Sequence, residues 1–179
     1  MGALFISNVI LRSLLFTFLA ITLGLTGSLI AGQNFVTPQV NFMMFASVFG
    51  LVFGAFYGFI GLFVTGIAFP FALAIVDFLV AVFAFAGATA LAVVIRVHSC
   101  TNRGYLDSNK VAQGSTSRCR KAQADTSFMY FAFIVALISL ILSISTGIRS
   151  GWGTVPSRRG APAVSAPAAA TTRPTMTQV

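Results

Sequence analysis

The sequence predicts an all-α integral membrane protein built as a four-helix transmembrane bundle. Two observations carry that expectation. Of the 179 residues, 57% are hydrophobic and 8% are charged, with a mean hydropathy of +0.93. A water-soluble domain carries about 25% charged residues, because its surface must be hydrated. The apolar residues also gather into four runs, each long enough to cross about 30 Å of hydrocarbon at about 1.5 Å per residue.

The first run covers residues 13–31. Its apolar stretch of about 18 residues exceeds the 7–15 of a signal-peptide core, so it reads as a retained span. A short polar connection with Pro38 leads to the second run, residues 42–66. A tight turn at residues 65–69 makes spans two and three an antiparallel hairpin. The third run covers 70–95, with Pro70 in its first turn, where a missing N–H costs nothing. A polar loop, residues 96–126, separates it from the fourth run at 127–148. From about residue 151 the chain is rich in Ala, Pro, Thr and Ser, a composition that reads as a disordered tail, 151–179. The unit is thus a four-span membrane domain, 1–150, plus that tail.

The formal charge of +8 reflects a shortage of acids, Asp77, Asp107 and Asp125 being the three present. It does not read as a nucleic-acid footprint, because the basic residues flank apolar runs and are placed to meet anionic headgroups. An even number of spans puts both termini on one side. Five basic residues (Arg12, Arg149, Arg158, Arg159, Arg173) lie on that side, against six (Arg96, Arg103, Lys110, Arg118, Arg120, Lys121) on the other, so the positive-inside rule does not orient the chain. The two cysteines, Cys100 and Cys119, both fall in the long loop. Read as a disulfide they place that loop in an oxidising compartment and the termini in the cytosol; the alternative is two free thiols in a cytosolic loop.

Ala46, Gly50, Gly54 and Gly58 recur every four residues on one face of span two. They form a smooth groove for close helix approach, either within the bundle or between copies. Gly24, Gly27 and Ser28 in span one and Ala84, Ala88 and Ala92 in span three are matching small faces. Asp77 is an acid inside a span and needs a partner, since an unpaired carboxylate there costs about 2.5–3.5 kcal/mol on insertion scales. Arg12 and Arg149 lie at the same membrane face and can reach inward; Tyr57 is a further partner. The structural reading is an ion pair or hydrogen bond, and the sharper one is a site sensitive to headgroups or protons. His98, Cys100, Cys119 and Asp107 are too few and too irregular for a structural zinc site, so no metal and no cofactor is expected. With one His, three Asp and no Glu, no nucleophile or acid–base set can be assembled, and the chain reads as a non-enzyme. The given sequence ends Thr177, Gln178, Val179, a weak match to carboxylate capture beside a sheet edge.

A family resemblance appears in Asp77-Phe78-Leu79, Ala92-Val93, Ile95-Arg96, His98-Ser99-Cys100, Tyr105, Asp107-Ser108-Asn109-Lys110, Gln113-Gly114-Ser115, Arg118-Cys119-Arg120 and Ala122-Gln123-Ala124. Together with the span number, loop lengths and ending, these residues resemble the fungal non-classical export protein 2 family of MARVEL-domain tetraspan proteins. The resemblance implies a multi-pass plasma-membrane protein with cytosolic termini. It also implies association with sterol- and sphingolipid-rich eisosome domains scaffolded by BAR-domain proteins, and roles in lipid sensing, domain organisation and unconventional export. The Ala- and Pro-rich tail departs from that family. The expected function is therefore a lipid-organising scaffold with bound sphingolipid or sterol, forming a homo-oligomer. The alternative is a small channel or transporter using Asp77, which would need a polar path across the bilayer.

Overall fold

A computed structural model describes residues 2–63, 70–96 and 98–150. The expected tight turn at 65–69, the tail with Arg158, Arg159 and Arg173, and the ending Thr177, Gln178, Val179 lie outside the described residues. The described elements are all helical: α1 (Gly2–Ala31), α2 (Pro38–Phe49), a π-helical segment (Gly50–Tyr57), α3 (Gly58–Phe63), α4 (Pro70–Ile95), α5 (Arg103–Ser108) and α6 (Thr116–Ser150). Helix is what a bilayer demands, because it satisfies every backbone N–H and C=O within the segment. Among the described residues, four stretches are long and apolar enough to cross: Phe5–Ala31, Pro38–Gly61, Phe71–Ile95 and Thr116–Arg149.

The expected span order holds, and the ends shift. The first helix starts at Gly2, not 13, and runs straight through Arg12. The second starts at Pro38, not 42, with Thr37 extended before it (φ −113°, ψ 107°), which is the geometry of proline at the first helical position. The loop 96–126 is not one irregular stretch: it contains α5, capped by the Asn102 side chain accepting from the Tyr105 N–H, and its last part is already α6. Residues 116–126 are polar but rich in Ala, Arg, Lys and Gln, good helix formers, so α6 extends beyond the apolar belt. At 35 residues it is about 52 Å long, well over the hydrocarbon thickness.

The helices pack in a ring, α1 beside the second span and α6, and α4 beside the same two. Every seam is antiparallel, as the register shows. Leu19 meets Gly50 and Leu15 meets Gly54 across the first seam, while Met43 meets Gly87 and Val80 meets Gly54 across the second. Across the others, Thr26 pairs with Asp125, Phe18 stacks near Phe131, Thr89 meets Tyr130 and Phe85 meets Phe133. The buried positions of α1 are Arg12, Leu15, Leu19, Thr22, Thr26 and Leu29, alternating steps of three and four as left-handed bundles do. Close approach of α4 and α6 comes from Ala81, Ala84, Ala88, Ala132 and Ala136 in the interior, since small residues let membrane helices gain dispersion contact where no hydrophobic drive exists. The large rings point outward instead: Phe45, Phe53, Phe56, Phe78, Phe85 and Phe131 are each 45–54% exposed.

Candidate functional site

At the level of Gly54 and Asp77, one polar knot joins all four spans. Arg12 comes from α1 and is buried, although its charge breaks the apolar run in the sequence. Its Nη1 donates to Asp77 Oδ1 at 2.5 Å and its Nη2 to Asp77 Oδ2 at 2.9 Å, a two-pronged pair with α4. Nη1 also donates to the Gly54 carbonyl at 2.9 Å, inside the π-helical segment, where the wider i→i+5 turn locally alters the backbone ladder. Ser143 of α6 donates to Asp77 Oδ2 at 2.9 Å. Both side chains of the pair are at most 4% exposed. The planar guanidinium suits this place because it meets a carboxylate with two parallel bonds and stays charged when buried.

Glycine makes the room. A Cβ added at Gly58 would lie 2.6 Å from Arg12 Nε, and one at Gly50 would lie 2.8 Å from a Leu19 methyl. The stripe Ala46, Gly50, Gly54, Gly58 is therefore occupied from within: Gly50, Gly54 and Gly58 receive Leu19, Leu15 and Arg12 of α1, and Ala46 is buried. Gly58→Ala is expected to lower stability by about 1–3 kcal/mol through overpacking. By contrast, a Cβ at Gly24 meets nothing within 4 Å, so Gly24→Ala is expected to be neutral or mildly stabilising. Thermal unfolding of both variants in one detergent checks the opposite signs; an unchanged Gly58→Ala midpoint would contradict the packing described.

The polar site is Arg12, Asp77 and Ser143 rather than Arg12, Asp77 and Arg149. Arg149 is exposed in the last turn of α6, while the antiparallel register brings Ser143 to the carboxylate. Asp125, expected in the loop, sits inside the bundle on α6, where Thr26 Oγ1 donates to its Oδ2 at 2.7 Å. Thr22 and Ser47 add a hydroxyl contact at 3.1 Å between α1 and α2. Ser143 and Asp125 were hidden because hydropathy does not mark which face of a span is internal; the three–four spacing of buried Cys119, Ala122, Asp125, Met129 and Ala132 carries that signal.

On the other side of the spans, Cys100 and Cys119 form the expected disulfide, with Cα atoms 5.7 Å apart. They pack with Leu106, Ala112 and Tyr105 in a small core of their own. Tyr105 donates its hydroxyl to the Ile95 carbonyl, and Asn109 Nδ2 donates to the Val94 carbonyl at 2.8 Å. The last carbonyls of α4, orphaned at any helix end, are thus capped by the loop. Burial pushes the Tyr105 phenol up from its ordinary value. His98 lies flat on Tyr105 with ring centres 4.8 Å apart. With both cysteines in the disulfide, the ligand set weighed from His98, Asp107 and the two thiols does not exist in this state.

Comparison with known proteins agrees with the architecture. Residues 5–142 match the family model of the membrane-associating domain MARVEL. The chain is 48% identical over 165 residues to Non-classical export protein 102 of Candida albicans, covering 89% of this chain and 97% of that protein. It is 45% identical over 134 residues to Non-classical export protein 2 homolog 1 of Saccharomyces cerevisiae, covering 75% and 77%. It is 43% identical over 142 residues to Non-classical export protein 2 of the same yeast, covering 79% and 82%. No solved structure gives a significant match.

Proposed function

This chain belongs to the MARVEL membrane-associating family, alongside the non-classical export proteins, and on that premise we propose that it is a tetraspan scaffold of the plasma membrane. It organises sterol- and sphingolipid-rich microdomains of the eisosome type, with BAR-domain scaffold proteins as partners, and through them supports unconventional protein export. Both termini face the cytosol, a reading supported by the Cys100–Cys119 disulfide, which forms in an oxidising compartment.

One observation carries the proposal: the polar groups within the spans described above bind helix to helix, and the outward surface, otherwise largely aliphatic, carries an interlocked aromatic ridge. Phe42, Phe45, Phe49, Phe53 and Phe83 form a continuous ridge over the seam between the second span and α4, with ring centres 4.8–6.5 Å apart. Interlocked rings present a stiff face, which suits a flat, rigid sterol or an ordered sphingolipid chain better than a mobile unsaturated one. A channel would need a polar path and a carboxylate that exchanges partners; Asp77 is instead held by Arg12 and Ser143. Self-association, also part of the proposal, uses outward faces, because Gly50, Gly54 and Gly58 are covered by α1.

Native mass spectrometry after mild detergent extraction tests both parts. The expected result is sterol and sphingolipid retained above their bulk proportions on an assembly of several copies, with Phe45→Leu/Phe53→Leu lowering that enrichment. Bare monomer, or bound lipid in bulk proportion, would sink the scaffold reading.

A further inference from the structure

An open groove lies where α4 leaves the apolar belt. Its floor is Val93 and Val94 in the last turn of α4, its wall is the stacked His98 and Tyr105, and its rim carries Arg96 and Lys110. The loop that shapes it is fixed in place. Tyr105 and Asn109 are bonded to the α4 carbonyls of Ile95 and Val94. Asn109 Oδ1 accepts from the Val111 and Ala112 N–H groups at 2.9 and 3.1 Å, and the disulfide ties Cys100 to α6. Arg96 has φ of +47°, a left-handed conformation that a long side chain rarely adopts.

The groove is electrostatically one-sided. Among the described residues neither Arg96 nor Lys110 has an ion-pair partner, and no carboxylate lines the cavity. Asp107 lies on a neighbouring recess instead, with Lys110 between the two. Both cations are exposed, as is Val93, at 64%. An occupant that satisfies these walls carries an anionic, hydrogen-bond-accepting group for the rim and an apolar part for Val93, which belongs to the candidate membrane span ending at Ile95. A free anion leaves that floor unmet, and a soluble peptide would have to approach through the headgroups.

We propose that this groove binds the phosphate of an anionic phosphodiester lipid headgroup, drawn from the leaflet on the disulfide side. The Arg96 guanidinium and Lys110 ammonium meet the phosphate, with the Asn102 side-chain amide, whose Oδ1 caps α5, offering its N–H groups within the same cavity. The fixed loop holds the backbone that carries these groups, so binding has to order only the exposed Arg96 and Lys110 side chains. The site rests on the scaffold reading and narrows it, by naming which lipid chemistry the chain selects on that face.

The test uses the full chain in neutral detergent, titrated with phosphatidylinositol and, separately, with inorganic phosphate, with native mass spectrometry counting bound molecules. Wild type is expected to retain phosphatidylinositol. Arg96→Gln/Lys110→Gln is expected to bind about tenfold or more weakly, as loss of charge-assisted bonds requires. The charge-keeping Arg96→Lys/Lys110→Arg is expected to retain most binding and guards against misfolding, with the disulfide and the unfolding midpoint checked in each variant. Arg103→Gln removes an exposed cation that does not line the groove and should leave binding unchanged. Equal weakening by Arg103→Gln, unchanged binding in the double variant, or inorganic phosphate bound as well as the lipid each overturns the proposal. Sterol and sphingolipid retention is read in the same spectra, so failure of the groove with that enrichment intact is distinct from failure of the scaffold.

Discussion

Arg12→Leu is expected to lower the stability of the bundle by about 3–5 kcal/mol, the cost of leaving one member of a buried ion pair alone. The size follows from position: the pair is sealed from solvent, 4% and 0% exposed by side chain, and it links α1 to α4 across the ring while Gly54 and Ser143 bring in the other two spans. Asp77→Leu is expected to cost more than Arg12→Leu. A stranded carboxylate can take up a proton and become neutral, whereas a stranded guanidinium stays charged. The double variant Arg12→Leu/Asp77→Leu is expected to recover most of the loss, because a buried pair often contributes little against a well-packed apolar replacement. Unfolding free energies of the four proteins, measured in one detergent, give the coupling energy. Single variants as stable as the parent would mean the knot does not hold the bundle. A stable double variant that loses sterol and sphingolipid enrichment would assign the pair a functional role beyond holding helices together.

Helix number and order were legible because hydrocarbon demands long apolar runs. Helix ends were not, because hydropathy reports where lipid is and not where backbone hydrogen bonding stops. Arg12 looked like the boundary of span one, yet α1 passes through it and turns the charge inward. Residues 116–126 looked like loop, yet they continue α6 with good helix formers. The glycine stripe was legible as a packing face, but its occupant was set by register: Leu19, Leu15 and Arg12 of the same chain fall opposite Gly50, Gly54 and Gly58. The same arithmetic separates Ser143 from Arg149 as the α6 partner of Asp77. The π-helical segment left no local mark, since it lies at the glycines where two neighbouring helices press in. What the structure adds is an inverted distribution that hydropathy alone does not reveal. Thr22, Thr26, Ser47, Asp77, Asp125 and Ser139 are buried, and several of the largest rings are exposed. In a bilayer the polar side chain needs the interior, and the aromatic one is already in its preferred solvent.

The second large effect is expected from the disulfide, and it should be local. Cys100→Ser/Cys119→Ser is expected to cost about 2–5 kcal/mol, the usual loss on removing a native bridge, with about 3 kcal/mol from loop closure alone for cysteines 19 residues apart. That loss falls on the loop, because Cys100, Leu106, Ala112 and Cys119 form a cluster separate from the main core of the spans. Helical content by circular dichroism should therefore survive. Protease cleavage around α5 should appear, and phosphatidylinositol binding at the groove should weaken with it, since the bridge fixes the segment that carries His98, Tyr105 and Lys110. The same bond reports orientation. On intact spheroplasts, a membrane-impermeant reductant followed by an impermeant maleimide is expected to label both cysteines without permeabilisation. Labelling that appears only after permeabilisation would put this loop in the cytosol, reverse the placement of the termini, and move the headgroup site to the inner leaflet.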